Sequence, residues 1–171
     1  MSLKLFDPWS IPFRLEFKRE GYCHFAVYVG RTHLDGMADP MPCVVHILNN
    51  NGSQSGGLFG GKSQRAAGRR GNKDVVMEAL LDVWESSQCR IDNSLDTRHA
   101  PFPKEEIKKR ALDLAVGRED YPPYNLADNN CEHFASWVRN GVKISKQVVK
   151  TGTEILRFLV NIKLGEKFGN I

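Results

Sequence analysis

The sequence predicts an α+β fold in which a small antiparallel sheet packs against helices. Three segments in the first third of the chain have the composition and spacing of β-strands: Phe13–Lys18, His24–Val29 and Cys43–Leu48. Two later segments, which follow Pro103 and Asn130, carry apolar residues at helical spacing. With 171 residues and 41% apolar content, the chain suits one domain with a core of its own.

The first two predicted strands are separated by a turn. Phe13–Lys18 alternates apolar with charged side chains, which is typical of a half-buried strand, and Glu20–Gly21 provides the turn. In the second strand, period two places His24 on one face with Ala26 and Tyr28, and the apolar residues between them on the other face. The strand therefore assigns one imidazole to a defined face of the sheet.

The third predicted strand brings a second histidine to the sheet. His46 shares its face with Val44 and Leu48. A loop rich in Asp, Gly and Pro, residues 30–42, connects this strand to the previous one. If the two strands are antiparallel neighbours, His24 and His46 can meet on one face.

Residues 49–73 form a glycine-rich, basic segment that we interpret as a surface loop or insertion. Within it, Gly56–Ser63 matches the P-loop pattern, which requires a strand immediately before it and a long helix immediately after it. An Asn-rich stretch precedes the match here, and Gly68 and Gly71 interrupt the residues after it, so we interpret the match as accidental. The basic residues of this segment are either solvated or in contact with anionic head groups.

The middle of the chain predicts a short strand at Cys89–Asn93 and then a helix. Pro103 suits the first turn of that helix, and Gly117 suits its end. Tyr121–Tyr124, with two central prolines, is a rigid connector into the next helix.

The stretch Asn129–Val138 combines helix signals with a reactive side chain. Asn130 is a strong N-cap and Gly141 supplies a stop, so a helix is predicted between them. Cys131 then lies in the first turn, where unpaired N–H groups and the helix dipole favour an anion. A thiol at such a position becomes a thiolate and a nucleophile more readily. The alternative is that Cys131 is a small buried apolar residue.

Three motifs together resemble the lecithin retinol acyltransferase-like family, which includes the small phospholipase A/acyltransferases of the H-Ras-like suppressor group. They are Gly21–Gly30, with a histidine before apolar residues and Tyr-Val-Gly; Cys43–Leu48, with Val-Val-His; and Asn-Cys-Glu-His-Phe at residues 130–134. The resemblance covers residues 13–145 and implies a fold similar to a circularly permuted papain-like core. For Val75–Trp84, whose composition favours a helix, the resemblance implies a strand, and we follow the resemblance.

The resemblance also implies a catalytic set. Cys131 is implied as the nucleophile, His24 as the base and His46 as the group that orients the base. The implied activity is that of a thiol-dependent phospholipase A1/A2 and acyltransferase. It forms a cysteine thioester with an acyl group taken from a glycerophospholipid. Water, an amine or a lysophospholipid then accepts that acyl group, and no cofactor is expected.

The other histidines, and the cysteine next to the first strand histidine, are expected to have structural roles. His133 lies two positions beyond Cys131, about 200° round a helix, so it faces away from the thiol. His33 and His99 lie in polar loops, and the side chain of Cys23 points to the face opposite its histidine neighbour.

The spacing of the four cysteines argues against a metal or disulfide framework. No CxxC pair is present, which is typical of an intracellular protein with reduced thiols. Cys43 and His46 could form half of a zinc site that His24 and Cys131 complete. Strong zinc signatures have two close ligand pairs, so we expect no metal.

The net charge of +4 is unevenly distributed. Residues 139–171 carry seven Lys or Arg against two Glu, a net of +5, and the rest of the chain has a net of −1. We therefore divide the chain into a catalytic domain, residues 1–142, and a basic amphipathic tail, residues 143–171. This tail either lies on an anionic membrane surface or packs on its own domain. No apolar run approaches the length of a membrane span.

We expect a cytoplasmic monomer that associates peripherally with membranes and does not bind nucleic acid, since residues 1–10 carry no secretory signal. Two other classes of function stay open. One is a thiol isopeptidase or protease of a related permuted papain-like type. The other is a non-catalytic, membrane-associated module.

Overall fold

The computed structural model describes residues 13–48, 64–65 and 74–153, and these residues form an α+β fold. Their six strands make one antiparallel sheet in the order β4–β5–β3–β2–β1–β6. The strands are β1 (Arg14–Lys18), β2 (Cys23–Thr32), β3 (Met41–Ile47), β4 (Gln64–Arg65), β5 (Val75–Ala79) and β6 (Gln88–Ile91). The helices are α1 (Leu80–Trp84), α2 (Lys104–Ala115), α3 (Cys131–Asn140) and α4, of which residues 146–153 are described.

The alternation predicted for β2 is confirmed, because the two faces of this strand belong to different apolar clusters. Phe25 and Val27 pack in the larger cluster, which also contains the buried residues of α2 and α3. Ala26 and Tyr28 pack in the smaller cluster, which contains Leu80 of α1. The sheet therefore separates α3 from α1.

Two predictions about strands need correction. Val75–Ala79 is a strand as predicted, but Leu80–Trp84 is helix α1, because Leu80 and Val83 lie one turn apart and both pack into the smaller cluster. The prediction that β1 exposes its charged residues is wrong for Arg14, which is 1% exposed and forms an ion pair with Asp92 at 2.5 Å. In the first case the helical composition of Leu80–Trp84 prevailed over the predicted strand. In the second, the ion pair with Asp92 allows the charged side chain of Arg14 to be buried.

The glycine-rich segment 49–73 lies outside the described residues except for Gln64–Arg65, which pair with β5 as an edge strand. The P-loop-like stretch 56–63 lies outside them as well.

Helices α2 and α3 begin and end where the caps predict. Pro103 is the N-cap of α2, and Asn130 is the N-cap of α3. Gly141 ends α3 with a φ of 73°, a left-handed conformation that glycine adopts without steric cost. In the described part of the chain, no helix has the length and apolar character needed to cross a bilayer.

Candidate active site

The first turn of α3 is fixed by side chains on both sides of Cys131. The Oδ1 atom of Asn130 accepts hydrogen bonds from the backbone N–H groups of Glu132 at 3.0 Å and His133 at 3.1 Å. In return, the Nδ1 atom of His133 accepts from the Asn130 N–H at 3.3 Å. This is a capping box, and it confirms the structural role predicted for His133.

Cys131 lies where β2 and β3 separate. The pairing of these strands stops at Val27 and Val45, although β2 begins at Cys23 and β3 continues to Ile47. The Sγ atom of Cys131 lies 3.8 Å from the carbonyl oxygen of Cys23, which precedes His24 on the strand. The thiol therefore lies against the backbone that carries the predicted base.

The two predicted histidines meet, and a third residue joins them. The Nε2 atom of His24 lies 2.9 Å from the Nδ1 atom of His46. The Nε2 atom of His46 lies 2.9 Å from the Oε2 atom of Glu78 on β5. The prediction that neighbouring antiparallel strands let the two imidazoles meet is thus confirmed.

Sequence reasoning missed Glu78. It ended the predicted set at His46, although one signal was present: a lone carboxylate inside the apolar run Val75–Ala79. An acid in a buried strand needs a partner, and the pairing of β5 with β3 provides His46.

The hydrogen-bond chain defines the protonation of both imidazoles. The Glu78 carboxylate accepts a hydrogen bond from the Nε2–H group of His46, and in this tautomer the Nδ1 atom of His46 is an acceptor. The Nε2 atom of His24 then donates to it. The Nδ1 atom of His24 keeps a free lone pair and is the basic nitrogen of the chain.

Burial keeps the thiol and the base neutral at rest. Cys131 is 6% exposed, and burial raises the pKa of its thiol to about 11, an effect that the backbone N–H groups of Phe25, Cys131 and Glu132 only partly counter. Burial, together with the neighbouring His46, holds the pKa of His24 well below its usual value. At rest, burial therefore outweighs the tendency of the helix start to lower the pKa of this thiol.

The sheet keeps the cysteine and the two imidazoles on separate sides. Cys131 belongs to the cluster beneath α3, whereas the ring of His24 lies 6.1 Å from that of Phe17, a member of the smaller cluster. Across the described ranges, the Sγ atom makes no hydrogen bond to either imidazole, and its partner is the Cys23 carbonyl.

A second network, which sequence reasoning also missed, fixes the start of β2. The side-chain amide of Gln147 accepts from the Cys23 N–H at 2.8 Å and donates to the Cys23 carbonyl at 3.0 Å. The Oε2 atom of Glu132 accepts from the Ser145 hydroxyl at 2.8 Å and from the Gln147 N–H at 3.1 Å. The segment after α3 thus holds the strand residue that precedes His24.

The remaining thiols have other partners. The Sγ atom of Cys23 lies 3.4 Å from a carboxylate oxygen of Glu16, on the face opposite His24 as predicted. Cys43 donates to the Met41 carbonyl at 3.2 Å, and burial raises the pKa of its thiol to about 11. The residues whose positions are described contain no group of three or more His, Cys, Asp or Glu side chains that could hold a metal ion.

The fold and the site define a small α+β protein with a cysteine at a helix start and a histidine pair on adjacent strands. Residues 13–144 match the family model described as lecithin retinol acyltransferase. The chain therefore belongs to the lecithin retinol acyltransferase family.

Curated relatives cover most of the chain. It is 35% identical over 142 residues to phospholipase A and acyltransferase 2 from Homo sapiens, an alignment that covers 82% of this chain and 76% of that protein. The human phospholipase A and acyltransferase 1 is 33% identical over 133 residues, with 78% of this chain and 68% of that protein covered. The human phospholipase A and acyltransferase 4 is 32% identical over 141 residues, with 82% and 76% covered.

Proposed function

We propose that this protein is a thiol-dependent phospholipase A1/A2 and acyltransferase that acts on glycerophospholipids. In this proposal Cys131 is the nucleophile, His24 is the base, and His46 and Glu78 set the tautomer of the base. The observation that carries it is the chain His24–His46–Glu78, which is joined by two 2.9 Å contacts and begins on β2, the strand against which the Cys131 thiol lies. The names of the relatives support the class of substrate.

The first half-reaction forms the acyl-enzyme. The Cys131 thiol gives its proton to the Nδ1 atom of His24 while the sulfur attacks the ester carbonyl carbon. This step requires the Sγ atom, whose partner in the resting structure is the Cys23 carbonyl, to approach Nδ1. Both groups are neutral at rest. The Cys131 N–H at the start of α3 stabilises the oxyanion, and His24 returns the proton to the lysophospholipid oxygen as the C–O bond breaks.

The second half-reaction consumes the thioester. His24 takes a proton from water, an amine or the hydroxyl of a lysophospholipid, and the oxygen or nitrogen attacks the thioester carbonyl. The C–S bond breaks, and the proton passes to the sulfur. Water as the acceptor gives phospholipase activity, and the other acceptors give acyl transfer. We propose that this takes place in the cytoplasm by a monomer at the surface of a membrane, where both acyl donor and lipid acceptor reside.

The test is intact mass after incubation with phospholipid liposomes. The wild-type protein should gain the mass of one acyl group, and Cys131→Ser should gain none and lose lipid hydrolysis while keeping its fold. Cys89→Ser is the matched control, because this half-buried thiol lies on β6 and should leave the adduct intact. An adduct that survives in Cys131→Ser would remove Cys131 as the nucleophile.

Substitution of the histidines separates their roles. His24→Ala should be nearly as damaging as Cys131→Ser, and His46→Ala less so, because orienting a base contributes less than being one. The reverse order would exchange the two roles. If no variant and no condition yields an adduct, a non-catalytic membrane module fits better, and cleavage of a ubiquitin-like conjugate would indicate a thiol isopeptidase.

A further inference from the structure

Cys23, whose thiol the proposed reaction does not use, lies on the same side of the sheet as Cys131. Its side chain packs against the larger apolar cluster, to which Cys131 belongs. The Sγ atom of Cys131 lies 3.8 Å from the carbonyl oxygen of Cys23, although the two residues are 108 positions apart in the chain. The fold therefore brings the candidate nucleophile next to a second cysteine.

The contacts of these two thiols are those of weak S–H donors. The Sγ atom of Cys23 lies 3.4 Å from a carboxylate oxygen of Glu16, and Cys131 donates to the Cys23 carbonyl. Because a thiol is a weak donor, rotation of either side chain breaks its contact at little cost. On this side the backbone of Cys23 is held by the amide of Gln147 rather than by a strand, since the pairing of β2 with β3 begins at Val27. The start of β2 is therefore less constrained than its middle.

All four cysteines lie in the described ranges, and the other two are poorly placed to pair with Cys131. Cys89 packs against the smaller cluster, on the opposite side of the sheet. Cys43 pairs with Gly30, near the opposite end of β2 from Cys23, and is fully buried. Cys23 is half-buried, so a soluble oxidant can reach its thiol.

We propose that Cys23 and Cys131 form a disulfide that reversibly switches off the candidate active site. A disulfide requires Cβ atoms about 4 Å apart, a separation reached by adjusting both side chains and the start of β2. The inference rests on the proposed function in one respect, that Cys131 is the nucleophile. A sulfur atom that is part of a disulfide cannot attack an ester carbonyl.

The oxidant is a low-molecular-weight disulfide such as oxidised glutathione. The Cys23 thiolate attacks one of its sulfur atoms, the S–S bond breaks, and one glutathione thiolate leaves. The Cys131 thiolate then attacks the Cys23 sulfur and releases the second glutathione thiolate. The two released thiolates take up the two protons that the cysteines lost. Two protein thiols are thus oxidised while one glutathione disulfide is reduced to two thiols, and excess reduced glutathione reverses the exchange.

The experiment incubates the full-length protein with oxidised glutathione in the absence of lipid. Peptide mapping without reduction and hydrolysis of a soluble ester follow. Burial and the neighbouring Glu16 raise the pKa of the Cys23 thiol, and burial raises the pKa of Cys131, so mildly alkaline pH is used to increase the thiolate fraction. The test variant is Cys23→Ser, and the matched control is Cys89→Ser, because Cys89 is also half-buried. Thermal unfolding checks that both variants keep the fold.

The wild type and Cys89→Ser should give a peptide pair linked through Cys23 and Cys131. They should lose ester hydrolysis in proportion to the linked fraction and regain it with dithiothreitol. Cys23→Ser should give no such pair and should keep its activity through the same treatment.

Absence of the linked pair in the wild type would overturn the proposal, as would equal inactivation of Cys23→Ser. A link from Cys131 to Cys43 or Cys89 would overturn it as well. Because the linked peptides are detected without lipid or turnover, they would remain even if the protein acted on no ester. Failure of the proposed function is therefore distinguishable from failure of this inference.

Discussion

Three of the four imidazole nitrogens of His24 and His46 lie in one chain of contacts that ends at Glu78, and this chain sets the direction in which protons can move. The carboxylate of Glu78 and the Nδ1 atom of His24 lie at opposite ends of the chain of contacts. The low pKa of His24 keeps its imidazole neutral, so the base is available well below the usual titration range of histidine. The tautomer of His24 on β2 thus depends on Glu78, which lies three strands later in the chain, on β5.

Substitution of Glu78 by Gln tests this tautomer assignment. An amide can donate as well as accept, so it no longer requires His46 to donate, and His24 loses its single tautomer. We expect kcat to fall roughly ten- to a hundredfold with little change in KM, as for other groups that act through a ligand or base. The measurement is steady-state hydrolysis of a soluble ester, with Glu105→Gln, at an exposed position of α2, as the control. A normal kcat in Glu78→Gln would place the carboxylate outside the mechanism.

The ionisation state of Cys131 can be read from its alkylation. Because the thiol has a pKa raised to about 11, iodoacetamide should modify it slowly at neutral pH. The rate should increase roughly tenfold per pH unit through the mildly alkaline range, since only the thiolate reacts. Mass mapping of the Cys131 peptide follows the reaction, and Cys131→Ser identifies the signal. A rate that is already maximal at neutral pH would instead indicate a thiolate–imidazolium pair.

At the scale of an element, α3 is a short helix that is capped at both ends, by side chains at its start and by a glycine at its end. Asn130 and His133 satisfy the first turn, and Gly141 closes the last. The helix is only Cys131–Asn140, so most of its stability comes from packing and caps rather than from propensity. The position of the thiol therefore depends on both ends of α3.

Gly141→Ala should destabilise the fold. A Cβ atom there would lie 3.0 Å from the Cζ atom of Phe102, and the φ of 73° disfavours any side chain. We expect a loss of about 1–2 kcal/mol in the free energy of unfolding. Gly152→Ala is the control: Gly152 lies in α4 with nothing within 4 Å of an added Cβ, so alanine should be neutral or stabilising by up to about 1 kcal/mol. Urea denaturation measures both, and equal stabilities would contradict the steric argument.

At the scale of the whole molecule, one buried ion pair connects β1 to the segment that follows β6. Arg14 on β1 contacts Asp92, which follows β6, through the charged pair at 2.5 Å and through the Asp92 carbonyl at 2.9 Å. Arg14 also lies over the ring of Phe25, with 5.0 Å between guanidinium carbon and ring centroid. Removing one partner leaves the other charge buried and unpaired.

Asp92→Asn should therefore cost about 3 kcal/mol in the free energy of unfolding at neutral pH. Burial disfavours the charged form of Asp92, but hydrogen bonds from Ser94 and the charge of Arg14 outweigh it and lower its pKa from 3.8 to about 2. The contribution of the Asp92 carboxylate to the free energy of unfolding is thus complete above pH 3.8 and is lost as the pH falls towards about 2. Denaturation across that range should show a steeper loss in the wild type than in Asp92→Asn, and parallel curves would contradict this account.

The two halves of the basic tail should contribute different kinds of membrane binding. Residues 143–153 carry three basic residues and no acid, whereas residues 154–171 carry three basic residues against two Glu and include nine large apolar residues. Deleting residues 154–171 should remove the salt-resistant part of vesicle binding, because apolar insertion is not screened. Turnover of a soluble ester should be spared. Joint loss of thermal stability and soluble-ester turnover would mean that the tail packs on the domain.

Local physics was sufficient for the elements that carry the site. Period-two alternation assigned His24 and His46 each to a face of its own strand, and N-cap and C-cap preferences located α3 between Asn130 and Gly141. These features depend on neighbours within a few residues, which is why the sequence alone determined them. The family membership followed from the same motifs.

Only the tertiary structure decided the features that depend on residues far apart in the chain. Glu78 reaches His46 because β5 pairs with β3, and Gln147 reaches Cys23 because the segment after α3 returns to the start of β2. The helix start favours a thiolate at Cys131, but burial beneath α3 raises its pKa instead. Desolvation is a property of everything packed around a group, so no reading of the helix by itself could have decided which effect is larger.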